Sequence, residues 1–353
     1  MSSKAIIGSD TIAQTLCFHA NKKWNVPSII MTNKTSHVKD FITEMKSPRI
    51  IMNTENSMKN IENLCKCLEP GDTLIDFGPH YFKDISPISL SFESKSINYV
   101  SGSLASNNNG INIMVSGPMK GFKNLFFFNE ICHSMYYIDK NPEKCSYYTM
   151  IYNVMRQALF QGIYDIFAYS EQDNTKFSHI LKQSNDSDVK GIILSNFNVV
   201  DNFDTDKRYE RFRYEQGVLS PVINNSIETK NMNNYMKYIN TSVPKNKYFS
   251  PYVAVNALRF FYACVFLEGI SMYSHEKMDI PSVMKSINSA TRISCPMNFY
   301  STQQLYDVLE LTHHDTRLFV NHCLCQNIPC PAIQSALNYF DSLKYLQIPI
   351  EEI

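Results

Sequence analysis

Glycine is scarce in this chain, with 11 in 353 residues, and there is a single tryptophan. Net charge is absent as well, since 33 lysines and arginines are balanced by 33 aspartates and glutamates. That balance removes the electrostatic footprint a polyanion-binding protein leaves, so neither nucleic acid nor a membrane surface is expected as a partner. No uninterrupted apolar run reaches transmembrane length; the best, at 258–267, contains Arg259 and runs into Glu268. The opening MSSKAIIGSDTIAQTL has only a three-residue apolar run before Gly8, with Asp10 close behind, which is not the pattern of a secretory leader. Ten cysteines are scattered without a regular framework, so reduced thiols in a cytoplasmic protein are expected. Neither Cys65 with Cys67 nor the group His322, Cys323, Cys325 and Cys330 has metal-ligand spacing, and no metal is expected.

What the chain does contain is organised around residues 145–167. Tyr147, Met150, Ile151, Val154, Met155, Ala158, Leu159, Gly162, Ile163 and Ile166 recur at helical spacing with no proline among them. This pattern predicts one long, mostly buried helix. On it Thr149, Tyr152, Asn153 and Arg156 stand at i, i+3, i+4 and i+7 and share a face.

Ahead of that helix, apolar strands at 5–7, 28–31, 49–52 and 73–77 alternate with helical runs at 11–22, 37–46 and 56–68, and Pro70-Gly71-Asp72 marks a turn. This is the opening of a dinucleotide-type fold, in which backbone amides at the first helix cradle a pyrophosphate. Behind it, helical patterns cover 251–273, 280–293 and 303–326. The fold class expected is therefore an α/β Rossmann-like N-terminal domain, residues 1–140, followed by an all-α domain, residues 141–353. A short helix at 177–181 and a solvated charged segment at 201–213 are further expectations.

The glycine fingerprint of dinucleotide folds is largely replaced. Where G-x-G-x-x-G would stand, the chain reads Gly8-Ser9-Asp10-Thr11-Ile12-Ala13. Alanine suits the close helix–strand contact at position 13, but Asp10 puts a carboxylate where a phosphate would approach the backbone. Lys34, just after the second strand, is placed to favour a 2′-phosphate. Gly8, Ala13 and Lys34 are thus the candidate cofactor-binding residues.

Two distant stretches carry a family resemblance. Residues 69–117 keep Gly71-Asp72, Ile75-Asp76, Gly78, Asp84, Gly110, Met114 and Gly117. The C-terminal QNIPCPAIQSALNYFDSLKYLQIP keeps Ile328-Pro329, Pro331, Ala336-Leu337, Tyr339 and Asp341. By these anchors the chain resembles the 6-phosphogluconate dehydrogenases, whose corresponding segments read K-G-D-x-x-I-D-G-G-N-x-x-x-x-D-T and G-I-P-x-P-x-x-x-x-A-L-x-Y-Y-D-x-x-R. The resemblance implies a homodimeric, NADP-dependent oxidoreductase of the pentose phosphate pathway, oxidising and decarboxylating 6-phosphogluconate.

The departures fall on the family's functional positions. Its substrate-binding asparagine corresponds to Pro79, and its V-S-G-G turn to Leu104-Ala105-Ser106-Asn107. Its nicotinamide loop M-V-K-A-G falls around Asn53-Thr54-Glu55-Asn56-Ser57, without the lysine. Aligning G-H-x-V-K-M-V-H-N-G-I-E-Y with the stretch that begins at Cys145 puts the catalytic lysine on Thr149, the histidine on Tyr152 and the catalytic glutamate on Arg156, and retains Asn153. The family's phosphate-binding arginine falls on Ser294, with Arg292 two residues away. Asn107, Tyr152, Asn153 and Arg292 are the candidate substrate-binding positions, and Thr149, Asn153 and Arg156 the degenerate catalytic ones. Threonine cannot take a hydroxyl proton at neutral pH, and arginine stays protonated.

The expectation is a pseudoenzyme kept as a binding or structural protein. The alternatives are an active NADP-dependent 6-phosphogluconate or related hydroxyacid dehydrogenase with relocated catalytic groups, or a nucleotide sensor.

Overall fold

The computed structural model describes residues 4–8, 13–14, 16–18, 28–29, 36–78, 80–107, 110–170, 250–283, 285 and 302–346. The expected helix at 177–181, the charged segment 201–213 and most of the helix at 280–293 lie outside the described residues, as do Lys34, Pro79 and Arg292. The chain divides into two compact units, Met1–Met150 with Lys285–Thr291, and Ile151–Met284 with Arg292–Ile353. The division falls inside the long central helix.

The first unit is built on a seven-stranded sheet in the order β2-β1-β3-β4-β5-β6-β7. The strands are β1 Lys4–Ile7, β2 Ser28–Ile29, β3 Ile50–Asn53, β4 Thr73–Asp76, β5 Asn98–Asn107, β6 Gly110–Ser116 and β7 Cys132–Asp139. The first five are parallel, β6 runs antiparallel to β5, and β7 is parallel to β6. Parallel strands covered on both faces read as continuous apolar runs, which is why β1 and β3 stand out in the sequence. Successive side chains go to opposite faces. Ala5, Ile7, Ile51 and Leu74 join one core layer with Ile61, Leu64, Ile85 and Phe92 from the helices. Ile6, Met52, Ile75 and Val100 join the other with Ile113 and Val115. Each such side chain, fully buried, stabilises the unit by roughly 1.5–3 kcal/mol.

Helices α1 Ser36–Glu44, α2 Met58–Cys67, α3 Phe82–Glu93 and the short α4 Met119–Lys123 flank the sheet. Ser57 caps α2, its Oγ accepting from Asn60 N at 3.3 Å. The retained Gly71-Asp72 pair has a structural use. Gly71 sits at φ +93°, where a side chain would be strained. The Asp72 carboxylate accepts from Arg49 N at 2.7 Å and Glu69 N at 2.9 Å, and lies 3.6 Å from the Arg49 guanidinium.

Helix α5 runs Glu143–Tyr169, extending the predicted helix by two residues at each end. Its first two turns are tied to the sheet of the first unit. Cys145 N donates to Ser116 Oγ at 2.8 Å, Ser146 Oγ and Ser101 Oγ are 3.0 Å apart, and the Ser86 hydroxyl donates to Glu143 at 3.0 Å.

The second unit holds the rest of α5 with α6 Pro251–His275, α7 Thr302–Cys325 and α8 Pro331–Tyr345. By window average α6 is long and apolar enough to cross a membrane, yet 89% of that window is buried within the protein, as expected of a core helix. Glycines set the α5–α6 crossing. A Cβ on Gly162 would lie 2.3 Å from the Phe261 ring, and one on Gly269 2.3 Å from Met155 Sδ. The start of α8 receives its cap from another helix. The buried Asp165 of α5 accepts from Ala332 N at 2.8 Å and Ile333 N at 3.0 Å, while Cys330, at the cap position, offers no side-chain bond.

Candidate nucleotide and substrate site

In the order β2-β1-β3 the chain leaves β1 to one side and returns on the other, so a crevice opens beyond the carboxyl ends of β1 and β3. Open α/β sheets bind ligands at such a switch point. Here Thr54, the residue after β3, packs beside the end of β1. Its backbone N–H donates to Ile7 O at 2.9 Å. The position a Cβ would take on Gly8 lies 1.9 Å from Thr54 Oγ1 and 3.2 Å from Ala13 Cβ. Gly8 and Ala13, two of the three sequence-predicted cofactor residues, are thus brought together, but around a threonine side chain. A side chain at position 8 would collide with Thr54, which accounts for the glycine there.

One strand further on, the carboxyl ends of β3 and β4 and the start of β5 meet at a buried carboxylate. Asp76, 1% exposed, accepts from Asn53 Nδ2 at 2.9 Å and Gly78 N at 3.0 Å through Oδ1. Its Oδ2 accepts from Tyr99 OH at 2.7 Å and lies 3.3 Å from His80 Nε2, without hydrogen-bond geometry. Burial, then the Asp76 charge, pushes the Tyr99 phenol well above its usual range, so it stays a proton donor to that carboxylate. A Cβ on Gly78 would meet His80 Nε2 at 2.3 Å and Glu55 O at 2.6 Å, which accounts for a glycine there.

A carboxylate and an imidazole this close have the composition of a general-base couple. His80, however, is only 4% exposed, and Asp76 is saturated with donors. Sequence reasoning did not single out His80 or Tyr99, and reached Asn53 only as part of the segment aligned with the nicotinamide loop. Asp76 and His80 four residues on was the available signal, but the Asn53–Asp76 pairing needs the β3–β4 register.

Asn107 lies in β5 opposite Gly110 of β6, so strand pairing runs through the segment where the resemblance has a V-S-G-G turn. The long helix carries the remaining candidates. Thr149 is half-buried, and its hydroxyl donates to Cys145 O of its own helix at 2.8 Å, the local bond threonine makes inside helices. Tyr152 and Asn153 follow on the same helix, both half-buried; the Arg156 side chain lies outside the described residues. Burial pushes the thiols of Cys132 and Cys145 up to about 12, which makes both poor nucleophiles. Among the described residues, no three potential metal ligands cluster.

A parallel-dominated Rossmann-like sheet continued by an antiparallel strand, followed in sequence by long buried helices, defines an α/β unit with a helical one. The particular fold is that of 6-phosphogluconate dehydrogenase. The chain matches the Plasmodium falciparum enzyme, described in its apo form and in complexes with NADP+ and 6-phosphogluconate, at a TM-score of 0.67. The match covers 96% of this chain and 87% of that one at 14% identity, a level that establishes fold. Weaker likenesses include 3-hydroxyisobutyrate dehydrogenase from Salmonella typhimurium, at a TM-score of 0.36 and 10% identity over 81% of this chain and 91% of that one. A reductive aminase from Aspergillus terreus, in complex with NADPH and ethyl levulinate, gives 0.41 and 10% identity over 96% and 99%. No protein-family model and no curated protein sequence matches the chain.

Proposed function

We propose that this chain is a 6-phosphogluconate dehydrogenase-fold protein that performs no oxidative decarboxylation and serves as a cytoplasmic, homodimeric binding or scaffold protein. The observation that carries the reading is the Thr149 hydroxyl. At the position of the family's catalytic lysine stands a group with no basicity at neutral pH, already donating to Cys145 O at 2.8 Å. Removing both base and acid, each contributing about a hundredfold or more, lowers the rate by about ten-thousandfold. Asp10, a carboxylate where the fingerprint has its second glycine, supports the same conclusion for the cofactor. For self-association, α7 exposes Leu311 and Leu318 two turns apart on one face, apolar surface that a dimer would cover.

A second reading, a dehydrogenase with relocated groups, is favoured by the Asp76–His80 couple alone. The purified chain should be titrated with NADP+ and with 6-phosphogluconate, separately and together, by calorimetry and by NADPH absorbance. Neither saturable NADP+ binding nor NADPH formation is expected. Turnover would overturn the proposal, and its loss in His80→Gln would then assign the base. NADP+ binding without turnover would make the protein a nucleotide sensor and overturn the scaffold reading.

A further inference from the structure

Within the second unit, α5, α6 and α8 line an open-sided cavity of about 500 Å³, a size that accommodates a small organic molecule. Most of its wall is hydrocarbon, with Phe261 and Val265 from α6 and Ala336 from α8. Gln161, Glu268, Ser335 and Tyr339, with the Cys264 thiol, interrupt that wall. The Gln161 amide donates its Nε2 to Asp165 Oδ1 at 3.3 Å, which fixes its orientation and leaves Oε1 buried with no hydrogen-bond partner. Glu268 is the one charged side chain lining the cavity, and it pairs with no cation among the described residues.

The Glu268 charge reaches the neighbouring groups. Burial first, and then Glu268, pushes the Tyr339 phenol up to about 12, and the same two causes push the Cys264 thiol well above its usual range. The cavity therefore offers a carboxylate, two aromatic side chains and, among the described residues, no lysine, arginine or histidine. Anions and sugar phosphates are disfavoured there.

We propose that this cavity binds a small organic ammonium ion, its head donating to Glu268 and its apolar body lying against Phe261 and Tyr339. An ammonium group carries only donors, which the Glu268 carboxylate accepts, and aromatic faces attract cations further. The site is separate from the Gly8 crevice, and the proposal stands whether or not the chain is a dehydrogenase.

The test uses the full chain with phenethylamine and its neutral analogue phenethyl alcohol, by calorimetry or ligand-observed NMR. The amine should bind about tenfold more tightly than the alcohol, the size of one partly desolvated charge interaction. Glu268→Gln, at an exposed position, should erase that difference while leaving alcohol binding unchanged. Ser335→Phe, also exposed, should fill the cavity and abolish both. Equal affinity for the two probes, binding of neither, or full binding in Ser335→Phe would each overturn the proposal. So would a dimer that Ser335→Phe dissociates, which would assign the groove to a second copy of the chain.

Discussion

Replacing Asp165 by alanine removes a carboxylate from beneath the first turn of α8. Its Oδ2 accepts from Ala332 N at 2.8 Å and Ile333 N at 3.0 Å, and Oδ1 accepts from Gln161 Nε2 at 3.3 Å. The carboxylate is fully buried, so water cannot simply take over. Hydrogen bonds to a charged group contribute about 1.5–3 kcal/mol each, and losing a helix cap alone costs about 0.5–2 kcal/mol. Against this, the alanine chain no longer has to desolvate a carboxylate. A net loss of about 3 kcal/mol is the expected balance. Asp165→Asn keeps an oxygen for the two amides and should cost about 1 kcal/mol.

Urea unfolding followed by circular dichroism measures the stability loss, and hydrogen exchange at Ala332 and Ile333 localises it. In the alanine variant those two amides should exchange about a hundredfold faster, the factor equivalent to about 3 kcal/mol. If Asp165→Ala stays within about 0.5 kcal/mol of the parent with both amides still protected, the cap is not what holds α8, and the reasoning fails.

Two further outcomes follow from the same helices. Gly162→Ala drives a Cβ to 2.3 and 2.5 Å from atoms of the buried Phe261 ring and should cost about 2–3 kcal/mol. Gly269→Ala meets the flexible Met155 thioether. Part of its cost is returned by alanine's better helix propensity, so it should stay within about 1 kcal/mol of the parent; urea midpoints in the reverse order would refute this account of the crossing. The Tyr339 phenol, pushed up to about 12 by burial, then Glu268, then Cys264, has a folded pKa above its unfolded value. Its contribution to stability is therefore complete below the ordinary tyrosine pKa of about 10 and is lost as pH rises towards 12. Glu268→Gln should bring the Tyr339 ultraviolet titration to lower pH, and an unchanged titration would place that carboxylate too far away to matter.

The long helices were legible to within two residues because a face buried along its whole length imposes a 3.6-residue period on consecutive positions. Residues 145–167 announced Glu143–Tyr169 in that way, and 251–273 announced Pro251–His275. The strands at 5–7 and 73–77 showed through for the complementary reason, since burial on both faces leaves a short apolar run. Motif order also sufficed for the class, a Rossmann-like unit followed by a helical one.

Other features depended on residues far apart in the chain, and no local pattern encodes their distances. The Asp165 cap on α8 spans 167 positions. The Asp76 cluster draws Asn53, Tyr99 and His80 together only through strand register, and the packing of Thr54 beside Gly8 depends on β1 lying beside β3. Local side-chain periodicity is written along the chain, so the sequence alone determined the elements. Which polar groups meet, and which are left facing a cavity, is settled by packing between elements, and only the tertiary structure could decide it.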